Sequence, residues 1–296
     1  MKNILLFIVL FHYAWAGAQQ TDFLRIKKYK VATLPDELRE TSALVFINDA
    51  LFSLNDSGNA ADLFQIDTES GKILHQYGTG LPHTDWEALT ADGTSLYIGD
   101  FGNNTGNRKD LTVYKVHKDS LRKGNSDVGV VAVPFFYPEQ QDFSSRNLRH
   151  NFDAEAMIFL NGKIHIFTKE WLSAGTTHYM VNPEATDAEP ARKVESTATG
   201  FMVTDAAYFN QRLYLLGYTK KAEVFLSVYH ETNPGVFFDQ KPQKYYLGTA
   251  FGVGQTEGIA VNSNGIYISA EAFSTPLGTS GQSLYFIPHH QIKTGK

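Results

Sequence analysis

Asp153-Ala154-Glu155-Ala156-Met157-Ile158-Phe159-Leu160-Asn161-Gly162-Lys163-Ile164-His165-Ile166-Phe167 reads as a β-hairpin. Apolar residues alternate on both sides of Asn161-Gly162, a pair that accepts the left-handed backbone of a tight turn. The unit opens on an acidic residue followed by small and apolar ones, and it recurs. Glu40-Thr41-Ser42-Ala43-Leu44-Val45-Phe46 turns at Asn48-Asp49 into Leu51–Leu54. Trp86-Glu87-Ala88-Leu89 turns at Asp92-Gly93 into Leu96–Gly99. Thr204-Asp205-Ala206-Ala207-Tyr208 turns at Asn210-Gln211 into Leu213–Leu216, and Thr256-Glu257-Gly258-Ile259-Ala260 turns at Asn264-Gly265 into Ile266–Ile268. Internal repetition at this spacing is the mark of a ring or solenoid.

A third strand is expected after each hairpin, at Asp62–Asp67, Leu111–Val116, Thr177–Val181, Val224–Tyr229 and Ser283–Ile287. A fourth is expected at Lys72–Tyr77, Val128–Phe136, Arg192–Thr197 and Gln243–Leu247. Four antiparallel strands per repeat make a propeller blade. The fifth repeat lacks its fourth strand, and Phe23–Ala32 is placed to donate it, which would close the ring and cover an edge. The expectation is an all-β, five-bladed β-propeller closed by an N-terminal strand. A six-bladed ring with a degenerate blade within Asn125–Asn151 is the alternative.

Met1-Lys2-Asn3 and the apolar run Ile4–Ala16 have the form of a signal peptide, with Ala16-Gly17-Ala18 as its small-residue cleavage site. Residues 1–18 are read as that signal and residues 19–296 as one propeller domain. The run is shorter than the ~20 apolar residues of a membrane span, so export to the periplasm or beyond is expected, with no membrane anchor. The chain has no cysteine, which excludes disulfides and thiolate zinc sites. A net charge of -5 with interspersed signs offers no stripe for nucleic acid. A monomer is expected.

In such a blade the start of strand one and the end of strand two share an edge. The loops leaving strand two are long and polar: Asn55-Asp56-Ser57-Gly58-Asn59, Asp100 to Arg108, Lys169-Glu170-Trp171, Tyr218 to Lys221, and Glu271-Ala272-Phe273. Loops of this kind on a rigid scaffold carry binding, so Asn55, Asp56, Asp100, Asn103, Asn104, Arg108, Lys169 and Glu271 are candidate contacts for a small-molecule or glycan ligand. The innermost strands begin on the same edge with Ser42 (or Glu40), Glu87, Glu155, Asp205 and Glu257. Carboxylates crowded around a channel repel one another unless a hard, oxygen-seeking cation such as calcium joins them; the opposing reading is that they cap backbone N–H groups. Asp85 and Asp153, two residues before Glu87 and Glu155, are expected to point the same way as those acids. Asn55–Gly58 also reads as a plain turn, and the Asp100 loop also reads as a turn salted to Arg108. Trp86 is expected to pack between blades, and His165 within its strand. No nucleophile elbow, phosphate loop or zinc helix is present.

Glu40–Gly58 and Asp85–Val116, with Gly99-Asp100-Phe101-Gly102-Asn103-Asn104 between strands, resemble an uncharacterised family of secreted bacterial β-propeller proteins. Glu40-x-Ser42-x-Leu44-Val45-Phe46, Leu51-Phe52-Ser53 with Asp56, Trp86-Glu87, Ala154-Glu155 and Thr256-Glu257 are similar to the calcium-activated nucleotidases, the soluble apyrases. That second resemblance implies a five-bladed ring with central calcium on Ser42, Glu87, Glu155, Asp205 and Glu257. Asp205 departs from the serine that the resemblance implies there. Two functions are therefore carried forward, beside a third reading in which a purely structural ion sits inside a scaffold used for protein contacts. One is a calcium-centred hydrolase of a phosphoester or nucleotide, with Asp56, Asp85 or Asp100 as base. The other is a non-catalytic extracytoplasmic module binding a glycan, peptide or small metabolite.

Overall fold

Each hairpin forms where its turn residues permit it. In the computed structural model, which describes residues 20–123, 130–276 and 278–293, Asn48 and Asp49 take φ of 47° and 65°, Asn161 and Gly162 take 51° and 71°, and Asn210 and Gln211 take 50° and 57°. These are two-residue turns whose twist matches that of the strands they join. In the second and fifth repeats a side chain makes the turn instead. Asp92 accepts the N–H groups of Thr94 and Ser95 at 2.7 and 2.6 Å, and Asn262 accepts that of Asn264 at 2.9 Å.

The strands assemble into five blades. Blade 1 is Thr41–Ile47, Ala50–Asn55, Asp62–Ile66 and Ile73–Gly78. Blade 2 is Trp86–Ala91, Ser95–Asp100, Thr112–His117 and Val130–Phe136, blade 3 is Asp153–Leu160, Lys163–Lys169, Thr176–Val181 and Arg192–Thr197, and blade 4 is Met202–Phe209, Arg212–Tyr218, Glu223–His230 and Gln243–Thr249. Blade 5 is Gln255–Val261, Gly265–Glu271 and Ser283–Pro288, completed by Lys30–Thr33 from the N-terminal end. The protein is a five-bladed β-propeller. The stretch weighed as a sixth blade holds instead the outer strand of blade 2 and most of a loop from Tyr137 to Phe152 without strand structure; residues 125–129 of it lie outside the described residues.

The N-terminal segment departs from a single donated strand over Phe23–Ala32. Thr21–Phe23 pairs in parallel with Lys244–Tyr246 at the edge of blade 4, a 3-10 turn over Ile26–Tyr29 follows, and only then does Lys30–Thr33 pair with blade 5. One straight strand cannot lie on two blades, so the chain bends between them and buries Ile26 in the gap.

The core is five clusters, one between each pair of neighbours. Leu54 and Leu63 meet Trp86 and Ile98 between blades 1 and 2, and Val113 and Phe135 meet Ile164 and Tyr179 between blades 2 and 3. Phe167 meets Leu213 and Phe237 between blades 3 and 4, Leu226 meets Ile268 between blades 4 and 5, and Leu284 meets Leu51 between blades 5 and 1. Blade 5 packs on blade 1, so the ring is closed. Trp86 is fully buried and its indole N–H donates to Pro82 O at 2.9 Å, as the packing expectation requires. Among the described residues no helix is long and apolar enough to cross a membrane. The expected signal, residues 1–18, lies outside the described residues.

Candidate functional site

All five innermost strands carry a register shift at their first turn of ladder. It falls between Thr41 and Ala43, Trp86 and Ala88, Ala154 and Ala156, Val203 and Asp205, and Thr256 and Gly258. A β-bulge inserts one residue that the partner strand does not match, and re-aims its side chain. The inserted residues are Ser42, Glu87, Glu155, Thr204 and Glu257. Asp205 is therefore a correction to the predicted ring: it stands one residue past the bulge, in register with Ala43, Ala88, Ala156 and Gly258. Its carboxylate is buried and accepts the N–H groups of Ala206 and Ile259, both at 2.7 Å. It caps backbone and ties blade 4 to blade 5. Thr204 stands in the bulge of that strand instead, and its Oγ1 donates to Thr256 O at 2.8 Å.

The same register defines a second tier at or one residue past the ends of the second strands: Asp56, Phe101, Lys169, Tyr218 and Glu271. Four of these, with Ser42, Glu87, Glu155 and Glu257 below them, line a cavity of about 380 Å³. Gln255, Trp171 and Asn104 complete its wall, together with Asn147 and Leu148 of the long Tyr137–Phe152 loop. The other end of the central channel is different in kind. A smaller cavity of about 150 Å³ there is walled by Leu44, Leu89, Ile158, Ala206 and Ile259 of the innermost strands.

The polar mouth is crowded with carboxylates. Carboxylate oxygens of Asp56, Asp85 and Glu87 lie within 4.8 Å of one another. Ser42 Oγ donates to Glu87 Oε2 at 3.0 Å, and Gln255 Nε2 bridges Glu257 Oε1 at 2.6 Å and Glu271 Oε1 at 2.5 Å. Lys169 Nζ is ion-paired with Glu155 Oε1 and lies 5.0 and 5.2 Å from the centres of the Trp171 and Tyr218 rings. Glu155 Oε2 is buried without a hydrogen-bond partner. Such an orphaned carboxylate oxygen is costly.

Burial dominates the electrostatics. It pushes Glu87 well above the usual carboxylate range, and the charge of Glu155 adds to the effect. Burial, followed by the charge of Asp56, raises Asp85 to about 6; burial with Glu257 and Asp56 raises Glu271 to about 9. Asp56 is raised for the first of these reasons. Burial opposes the Lys169 ammonium, but the Glu155 carboxylate outweighs it, and Lys169 stays protonated well above its ordinary pKa.

The other predicted contacts are turned inward. Asn55 Nδ2 donates to Glu37 O at 2.7 Å. Asp100 is buried, accepts the N–H groups of Thr84 and Asp85 at 3.1 and 3.0 Å, and is paired with Arg108 at 3.0 Å. Arg108 also donates to Gly102 O at 2.9 Å, and Asn103 bridges Phe152 O and the N–H of Arg108 at 3.1 and 3.0 Å. These residues brace the loop that carries Gly102 and Asn104. Asp153 accepts the N–H of Asn103 at 2.7 Å and the indole N–H of Trp171 at 2.9 Å, the loop-capping alternative. His165 is packed against His178 with ring nitrogens 2.8 Å apart. The sequence pattern did not single out Tyr218, Gln255, Asn147, Leu148 or Thr204 as site residues. Tyr218 and Gln255 are found once the bulge register is known; the Tyr137–Phe152 loop has no local signal.

No family model matches the chain, and no curated protein matches it. Among solved structures it is similar to the glutaminyl cyclase of Myxococcus xanthus, with a TM-score of 0.45, 14% identity, and 88% of this chain and 94% of that chain covered. A protein of Thermus thermophilus described as an oxidoreductase (glucose dehydrogenase) aligns with a TM-score of 0.44 at 11% identity, over 87% of this chain and 98% of that one. A hypothetical protein of Leishmania major aligns with a TM-score of 0.48 at 9% identity, over 88% and 90%. The resemblance to calcium-activated nucleotidases thus rests on the quoted motifs alone.

Proposed function

We propose that the acidic mouth of the channel holds a hard divalent cation of the calcium class, and that the exported protein hydrolyses a small phosphoester or nucleotide above it. One observation carries this reading: carboxylate oxygens of Asp56, Asp85 and Glu87 converge within 4.8 Å of one another, on a cavity that Glu155 also lines. The donor set is all oxygen and includes no imidazole, which suits calcium. Asp56, Asp85 and Glu87 would hold the ion, with Ser42 steadying Glu87 and Glu155 on the same cavity wall. When bound, the ion would supply Lewis-acid polarisation of a phosphoryl oxygen.

The chain's own groups define the rest. Lys169 supplies a fixed positive charge in an otherwise acidic cavity, placed to meet a substrate anion. Asp100, one of three acids considered as base, is committed to Arg108 and two backbone N–H groups. Asp56, on the cavity wall, and Asp85 beside it remain half-exposed, and the one of these two carboxylates that the ion leaves free is the group that would take a proton from water. Trp171 and Tyr218 offer ring faces to a base or sugar.

The second reading, a non-catalytic binding module, is favoured by Trp171, which is half-exposed at the cavity beside the exposed Leu172 and suits stacking on a glycan. The test begins with thermal unfolding of chelator-stripped protein with and without calcium, for the wild type, Glu155→Gln and Asp85→Asn. An ion at about 100 times its Kd adds ~2.7 kcal/mol of stability, so a clear rise in Tm is expected in the wild type and its loss in both variants. Calcium-dependent phosphate release from a panel of nucleotides and phosphomonoesters should follow. A Tm rise with no release from any of them leaves the binding module; no Tm rise refutes the cation centre.

A further inference from the structure

We infer that Lys169 is a tethered cation occupying part of the acidic mouth, so that divalent-ion affinity is held down by its ammonium and released when that charge is removed. The inference rests on the cation centre proposed above. It begins from position. In the second tier, where blade 1 places Asp56 and blade 5 places Glu271, blade 3 places a lysine at the end of Lys163–Lys169. Its side chain is buried, 4% exposed, and is the sole cationic group on the cavity wall among the described residues.

The ammonium is gripped rather than loose. Glu155 Oε1 pairs with it, and the faces of Trp171 and Tyr218 stand 5.0 and 5.2 Å from it. A carboxylate with two aromatic faces is a favourable setting for an ammonium ion. Glu155 is thereby divided: one oxygen is neutralised by Lys169, and the other, Oε2, is buried and unpaired. A divalent ion in the Asp56, Asp85 and Glu87 group shares its cavity with a fixed positive charge, because Lys169 lines the same wall as Asp56, Glu87 and Glu155. Like charges at such separations in a poorly solvated site repel strongly. The site therefore binds calcium more weakly than its carboxylates alone would dictate, and a substrate anion meets two positive charges, the ion and Lys169.

The experiment is calcium binding to the chelator-stripped full propeller, by isothermal titration and by native mass spectrometry, for the wild type, Lys169→Met, Lys169→Gln and Lys169→Arg. Lys169→Gln keeps a hydrogen-bond donor for Glu155 and guards against a folding defect in Lys169→Met. Both neutral variants are expected to bind calcium at least about tenfold more tightly than the wild type, while Lys169→Arg, which keeps the charge, stays near the wild-type affinity. If the wild type binds and the neutral variants bind equally or more weakly, the inference is overturned and the cation centre stands. If the wild type shows no binding but the neutral variants bind, Lys169 fills the site by itself: the inference stands and the resident ion of the proposed function falls. If none binds, both fall.

Discussion

Gly102 leaves no space for a side chain. A Cβ there would lie 2.5 Å from Asp85 Oδ2 and 2.5 Å from Glu87 Oε1. The glycine lets two carboxylates approach the loop backbone, while Arg108 fixes that loop through Gly102 O. Gly102→Ala should push the Asp85 and Glu87 carboxylates aside and abolish the calcium-dependent rise in Tm, with a smaller effect on the melting temperature in chelator, both read from melts with and without the ion. Glu271 gives a second prediction at this scale. Burial, with Glu257 and Asp56, raises it to about 9, whereas an unfolded glutamate titrates near ~4.3. The native state then keeps a proton that the unfolded chain releases, so stability falls as pH rises between the two values. In chelator, Glu271→Gln should gain Tm over the wild type at pH 9 and gain little at pH 4. Equal gains at both pH values would contradict the assignment.

At the level of the element, the bulge at the start of each innermost strand decides which side chain enters the mouth. It inserts one residue, so every side chain before it lies out of phase with those after it. Asp205 illustrates the result. Being one place past the bulge, it binds backbone N–H groups of its own strand and of blade 5 instead of facing the cavity. Asp205→Ala should leave the N–H groups of Ala206 and Ile259 without their acceptor, at about 1–3 kcal/mol for each. The calcium-dependent shift in Tm should persist on that lower baseline. Loss of the shift with unchanged basal stability would return Asp205 to the ring.

Across the whole molecule, closure is shared by the five inter-blade cores and the N-terminal strap. Thr21–Phe23 lies on blade 4 and Lys30–Thr33 on blade 5, with Leu24, Ile26 and Leu34 buried along the way. Asp22 also pairs with Lys293 at 2.7 Å, so the N-terminal strap meets the segment that follows blade 5. A protein beginning at Pro35 would expose the edge of Ser283–Pro288 and leave those apolar contacts empty. It should aggregate or melt at much lower temperature, as size-exclusion chromatography and circular dichroism would show. A sharp transition at the wild-type temperature would mean that the strap is dispensable.

Strand alternation, turn residues such as Asn161-Gly162 and the recurrence of an acid before each hairpin determined the blade count and the edge that carries the loops. Those signals are local: each depends on a few neighbouring residues and the period of a strand. The same locality explains what the sequence missed. A bulge is a mismatch between two strands and leaves no trace in either alone, so Asp205 was placed where Thr204 stands. Lys169 lies between Glu155, Trp171 and Tyr218 only because blades 3 and 4 are curved toward one channel. Asp100, Asn103 and Arg108 had the composition of ligand contacts, but the loop needed them for its own hydrogen bonds. Asp56 follows a strand of blade 1, Asp85 and Glu87 open blade 2, and only the packing of these two blades brings their oxygens together. Periodicity decided the scaffold; the chemistry of its mouth was decided by register and long-range packing.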